Sequence, residues 1–221
     1  MSTLPFESIQ KEAGLYKWAS TLALITIFYN TLEGLVSVFF GLEDETISLF
    51  GFGVDSFVEV ISGIGIWHMG RRIRGDGSAS PDRFERRALR LTGTAFYVLT
   101  AGLILTAAIS LYEGHKPEST IWGIIVSAVS ILTMWALVHY KMKVGRGLNS
   151  RAILADAACT RMCIQLSVVL LLASVGYELT GIGGMDAVGA VVIAGLSFRE
   201  GRESFRKAKG DMVCGCKKIC E

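Results

Sequence analysis

Long apolar stretches alternate with short polar ones along this chain. Six apolar segments run roughly 17–41, 46–69, 91–113, 119–140, 152–178 and 184–199, and a helix needs about 20 mostly apolar residues to cross a bilayer. The sixth is short and rich in glycine, the weakest of the set by hydropathy. The pattern predicts an all-α polytopic membrane protein with six transmembrane helices. It divides the chain into an N-terminus over 1–16, a membrane domain over 17–200 and a cysteine-containing tail over 201–221. The first 16 residues are polar and carry no small-residue cleavage site, so no secretory signal peptide is expected. Glycine patterns such as "SGIGIW" and "GIGGMDAVGAVVIAG" put small residues on helix surfaces, where they permit close packing in a bilayer.

Composition agrees with this reading. Hydrophobic residues make up 51% of the chain and charged residues only 19%, against about 25% in an ordinary soluble domain. The net charge of +2 matters less than where the charges lie. One set of flanks holds Lys11 and Lys17, seven arginines over 70–90, four basic residues over 141–151 and seven more from Arg199 onward. The opposite connections hold Lys116 and the acidic run "GLEDET". Cytoplasmic loops carry the excess of Lys and Arg, so both termini are expected to be cytoplasmic. The loop "RRIRGDGSASPDRFERR" then reads as a topology determinant facing anionic headgroups of the lipid bilayer, with helix three starting near Pro81. No phosphate loop, hydrolase elbow or nucleic-acid module is present, so neither an enzyme with a prosthetic cofactor nor a nucleic-acid partner is expected.

The chemistry lies in polar residues inside the apolar segments, which are costly there and point to function. They are Asn30 and Glu33 in the first segment, Asp55 and Glu59 in the second, Asp156, Cys159, Arg161, Cys163 and Gln165 in the fifth, and Asp186 in the sixth. Asp55 and Glu59 are four apart and project from one helix face. Cys159 and Cys163 repeat that spacing, with Arg161 on the other side of the helix. Two such helices can converge on a four-ligand site suited to a tetrahedral ion such as Zn²⁺ or Cd²⁺. A structural alternative stands beside this: intramembrane cysteines also serve as small hydrophobes, and Asp55 or Glu59 could pair with Arg161 as buried charge. Asp156 reads equally as a ligand or as a residue on the ion's way in. In the tail, "CGCKKIC" supplies Cys214, Cys216 and Cys220, thiols able to capture soft metal in a reducing compartment.

These motifs, in this order, resemble the cation diffusion facilitator family of metal-ion/proton antiporters over nearly all six segments. "SLFGFGVDSFVEV" looks like the family's second helix, with Asp55 and Glu59 at its metal-binding pair. "ADAACTRMC" looks like its fifth-helix motif, with Cys159 and Cys163 where a His and an Asp usually stand. "GGMDAVGAVVIAGLSFREGRES" is similar to its sixth helix through Asp186, and "NTLEG" to its first through Asn30 and Glu33. The resemblance implies proton-coupled export of zinc or a related d-block ion, and a homodimer. It implies a metal site of Asp55, Glu59, Cys159 and Cys163, with Asn30, Glu33, Asp156 and Asp186 as accessories. The cysteines put Cd²⁺, Co²⁺ or Hg²⁺ beside Zn²⁺ as possible cargo. The family's usual cytoplasmic C-terminal domain has no counterpart here, which implies a short, divergent member. Two other readings stay open: thiol-dependent uptake of a soft metal ion, and a membrane metal sensor without transport.

Overall fold

The computed structural model describes residues 6–76, 83–114, 116–148, 151–182 and 184–209. They form six helices: α1 (Phe6–Glu43), α2 (Ile47–Asp76), α3 (Arg83–Glu113), α4 (Ile121–Gly147), α5 (Arg151–Thr180) and α6 (Gly184–Ala208). The helices overrun the predicted segments at their basic ends. α1 starts well ahead of residue 17, and α6 absorbs the beginning of the expected tail. Cys214, Cys216, Cys220 and Pro81 lie outside the described residues.

The bundle is polar inside and apolar outside. On α1, Phe28 is 73% exposed while Asn30, two residues on, is 1% exposed. Leu132 on α4 and Leu172 on α5 are exposed too, whereas Ser127, Ser130 and Ser167 are fully buried. Water would reverse that arrangement; a hydrocarbon solvent favours it, because polar side chains find partners only within the protein. The chain is a multi-pass membrane protein.

Four helices are long and apolar enough to cross a membrane by themselves: Lys17–Glu43 of α1, Arg90–Glu113 of α3, α4, and Thr160–Thr180 of α5. The other two, α2 with 30 residues and α6 with 25, have the length, since about 20 residues suffice. What they lack is apolarity, because they carry Asp55, Glu59, Asp186 and Glu200. Their packing makes up for it. α1 lies along α2, α3 along α6 and α4 along α5, while α2 also touches α3, α5 and α6. The most polar helices are thereby sheltered from lipid by the apolar ones.

Glycine makes the tightest of these pairings possible. A Cβ on Gly53 of α2 would lie 2.8 Å from Ser37 Cβ and from the Val38 amide nitrogen of α1. Between α3 and α6, a Cβ on Gly93 would meet the Phe205 ring at 2.8 Å and one on Gly201 would meet Phe96 Cβ at 3.1 Å. This is close backbone approach through small residues, the usual currency of helix association in lipid.

At the acidic end, the helix starts are capped by carboxylates from other helices. Asp186 of α6 accepts from the amides of Ile47 (2.8 Å) and Ser48 (3.1 Å), and from the Ser48 hydroxyl. Glu178 of α5 accepts from the Thr120 amide (2.8 Å) and hydroxyl (3.0 Å) at the start of α4. Each satisfies amides that a helix start leaves without internal partners. α3 and α5 end at Gly114 and Gly181, whose φ of 69° and 65° suits a residue without a side chain. The loops are tied together as well, with the Glu118 amide donating to Asp44 O (3.0 Å) and the Thr46 hydroxyl to Ser119 O (3.0 Å).

Candidate metal site

Asp55 and Glu59 stand one turn apart on α2, in the middle of the bundle, as their spacing requires. They face different neighbours. Asp55, 2% exposed, accepts from the Ser197 hydroxyl of α6 at 3.3 Å. Glu59 accepts from the Asn30 amide nitrogen of α1 at 2.9 Å and from the Cys163 thiol of α5 at 2.6 Å. The α2 pair thus gathers groups from α1, α5 and α6.

Glu33 lies beside them, taking hydrogen bonds from Tyr29 (3.0 Å) on its own helix and from Ser56 (3.1 Å) on α2. Ser130 of α4 is within hydrogen-bonding reach of both Tyr29 and Glu33. Glu33, Asp55, Glu59 and Glu200 are close enough to act on one another electrostatically. The described hydrogen-bond partners of Glu33, Asp55 and Glu59 are all neutral. Carboxyl groups gathered in a low-dielectric interior need positive charge, whether a metal ion or protons.

The donor set is mixed in hardness. The carboxylates suit hard and borderline cations and the thiol suits softer ones, so a borderline ion such as Zn²⁺ satisfies both. Asn30 is 1% exposed and its carbonyl oxygen Oδ1 has no hydrogen-bond partner, a further oxygen available to a cation. Among the described residues no three His, Cys, Asp or Glu side chains meet closely enough to cage an ion as they stand.

The structure separates the remaining candidates. Asp186 is occupied at the start of α2, at Ile47 and Ser48, seven to eight residues or about 11–12 Å of helix rise from Asp55, so it does not join the carboxylate group. Arg161 sends Nη2 to Met142 Sδ at 3.4 Å, toward α4, and Gln165 is exposed. The side chains of Asp156 and Cys159 lie outside the described residues. Sequence reasoning missed Ser197, Glu200, Tyr29, Ser56, Ser130 and Lys141. Glu200 fell into the basic flank beyond residue 199, although its spacing of three from Ser197 puts both on one face of α6. Lys141 was counted with a cytoplasmic loop; it is 1% exposed and donates to Thr160 Oγ1 at 2.9 Å.

A family model described as the cation efflux transmembrane domain matches residues 20–213. The chain belongs to the cation efflux family. Two curated relatives bring context. An uncharacterized transporter of Methanocaldococcus jannaschii is 28% identical over 179 residues, covering 77% of this chain and 62% of the relative. The manganese efflux system protein MneP of Bacillus subtilis is 25% identical over 203 residues, covering 84% of this chain and 65% of the relative. The cation efflux domain here therefore spans less than two thirds of the length of either relative. Its matched region takes in every residue of the α1, α2, α5 and α6 cluster described above.

Proposed function

We propose that this chain carries a divalent d-block cation, zinc or a close relative, out of the cytoplasm in exchange for protons. The ligands are Asp55, Glu59 and Cys163, with Cys159 one turn from Cys163 as the fourth. The observation that carries this reading is the 2.6 Å hydrogen bond from the Cys163 thiol to Glu59. It draws a thiol of α5 onto a carboxylate of α2 deep in the bundle, two metal-ligating types face to face with one proton between them.

That geometry supports an exchange mechanism. A ligating thiol must lose its proton, so an incoming cation displaces the proton shared by Cys163 and Glu59. When protons return, they restore the hydrogen bond and dismiss the ion. Asn30 holds Glu59 from the other side and offers Oδ1 to the cation. Asp156, near the basic end of α5, fits a place on the ion's way in, and the tail cysteines Cys214, Cys216 and Cys220 fit capture of metal ahead of it. The basic flanks support cytoplasmic termini, and the family resemblance supports a homodimer.

Manganese is the second cargo to consider. The name of the Bacillus relative points to it, and three of the oxygens around Glu59 and Asn30 are hard donors. The thiol favours zinc.

The test is flux into proteoliposomes under an imposed pH gradient, with Zn²⁺, Mn²⁺, Cd²⁺, Co²⁺ and Hg²⁺ offered separately. Intact protein is compared with Asp55→Ala, Glu59→Gln and Cys163→Ser. Proton-dependent flux that disappears in all three variants supports the site. Flux that needs the thiols and ignores Asp55 and Glu59 would indicate thiol-dependent uptake. Binding of every ion with flux of none would make the chain a sensor.

A further inference from the structure

The α4–α5 seam carries a row of hydroxyl groups that reaches the metal site only at Ser130. Thr120 at the cap of α4 and Ser127 and Ser130 on it fall at steps of seven and three and share one face. All three are fully buried. From α5, Ser167 donates to Ser130 Oγ at 2.9 Å and to Cys163 O at 2.8 Å. Nearer the acidic end, Thr120 donates to Ser174 O at 2.9 Å and to Glu178 Oε1 at 3.0 Å.

Hydroxyls along a seam also serve plain helix packing, and Ser127 satisfies itself on Gly123 O at 2.6 Å. Ser174 differs. It is 1% exposed, and its Oγ has no hydrogen-bond partner. That oxygen is aimed across the seam at Gly123, where a Cβ would overlap it. An unmet buried hydroxyl costs about 1–3 kcal/mol, and a single internal water is the usual partner for such a group. Thr120 and Ser130 are ten residues or about 15 Å apart, a span that the intervening hydroxyls bridge only with single waters between them.

We propose that the α4–α5 seam is a proton track, running from Glu178 at the acidic end through Thr120, Ser174, Ser127 and Ser130 to Glu33 in mid-bundle. Protons enter among the carboxylates of Asp44, Glu118 and Glu178, which act on one another at the loops. They arrive at Glu33, which faces Tyr29 and Ser56 and is in electrostatic reach of Asp55, Glu59 and the Cys163 thiol. The track is separate from the metal's path and meets it at Ser56 and Cys163. The inference rests on the exchange reading above.

Two measurements on the full chain test it. In proteoliposomes with an entrapped pH dye, Gly123→Ala puts a methyl group where Ser174 Oγ points, and Ser174→Ala removes only the oxygen. Both should slow metal-driven proton movement about tenfold and leave equilibrium metal affinity unchanged. Native-like proton movement in Ser174→Ala overturns the track even if Gly123→Ala misfolds. The second measurement is hydroxyl-radical labelling by synchrotron radiolysis, which marks side chains beside ordered water. Leu170 and Val126, both buried, should be labelled in the native protein and protected in Gly123→Ala. A native protein with neither residue labelled has no water in the seam, and the track fails. Native protein that moves neither metal nor protons sinks the exchange reading, while the labelling still decides whether the seam is wet.

Discussion

Glu59 has the most consequential surroundings of any side chain in the bundle, because a different helix holds each of its oxygens. Cys163→Ala removes a proposed ligand together with the donor to Oε1, and metal affinity should fall about 10- to 100-fold in a competition titration against a chelating dye. Cys163→Ser keeps an oxygen in place and should shift preference from Zn²⁺ and Cd²⁺ toward Mn²⁺, measured as a ratio of affinities. Asn30→Leu strands Glu59 Oε2 and should cost about 1–3 kcal/mol, seen as a lower thermal midpoint in detergent. At this scale the sequence showed the Asp55–Glu59 pair plainly, since a spacing of four on a helix admits one geometry. It did not show that the two carboxylates face different helices, because that depends on which helices α2 touches. The place of Asp186 depends on helix contacts in the same way. An intramembrane acid signals function by default, and here three bonds to the start of α2 engage it.

Among the elements, α2 and α6 depend most on their neighbours. Asp186→Ala removes the cap from α2 and should cost about 0.5–2 kcal/mol. Thermal unfolding in detergent would register the loss while metal affinity stays native, since Asp186 lies well away from Asp55. Gly53→Ala forces Ser37 and Val38 aside at the α1–α2 crossing, an overpacking worth about 1–3 kcal/mol, and should lower the midpoint in the same assay. Six helices were legible from apolar length, with interior limits close to those found. The ends were not, because basic residues such as Arg71 and Arg202 form helix as readily as loop once past the headgroups. Hydropathy alone also ranks α2 and α6 too low, since it counts their ionisable groups without knowing that other helices cover them.

At the scale of the whole molecule, the acidic end responds to pH. Asp44 sits above the usual carboxylate range through partial burial, with Glu43, Glu118 and Glu178 adding repulsion. The folded protein therefore holds that proton more tightly than the unfolded chain does. The associated stability is complete in acid, below the unfolded pKa, and is lost as pH rises through the folded one. Asp44→Asn should accordingly be slightly more stable than native protein at neutral pH, with the difference vanishing in acid and shrinking in salt. Melting curves across pH and ionic strength check it.

The three close helix pairs, α1 with α2, α3 with α6 and α4 with α5, set how such a molecule can move. Glycine contacts at α1–α2 and α3–α6, and the hydroxyl seam at α4–α5, leave little slack inside a pair. Glu59–Cys163 and Asp55–Ser197 both run between pairs. A cross-link placed within a pair should therefore be silent, whereas one joining α2 to α5 or α6 should arrest the cycle. On this view the cation sits in a joint between rigid bodies, and relative motion of those bodies assembles and dismantles its coordination shell.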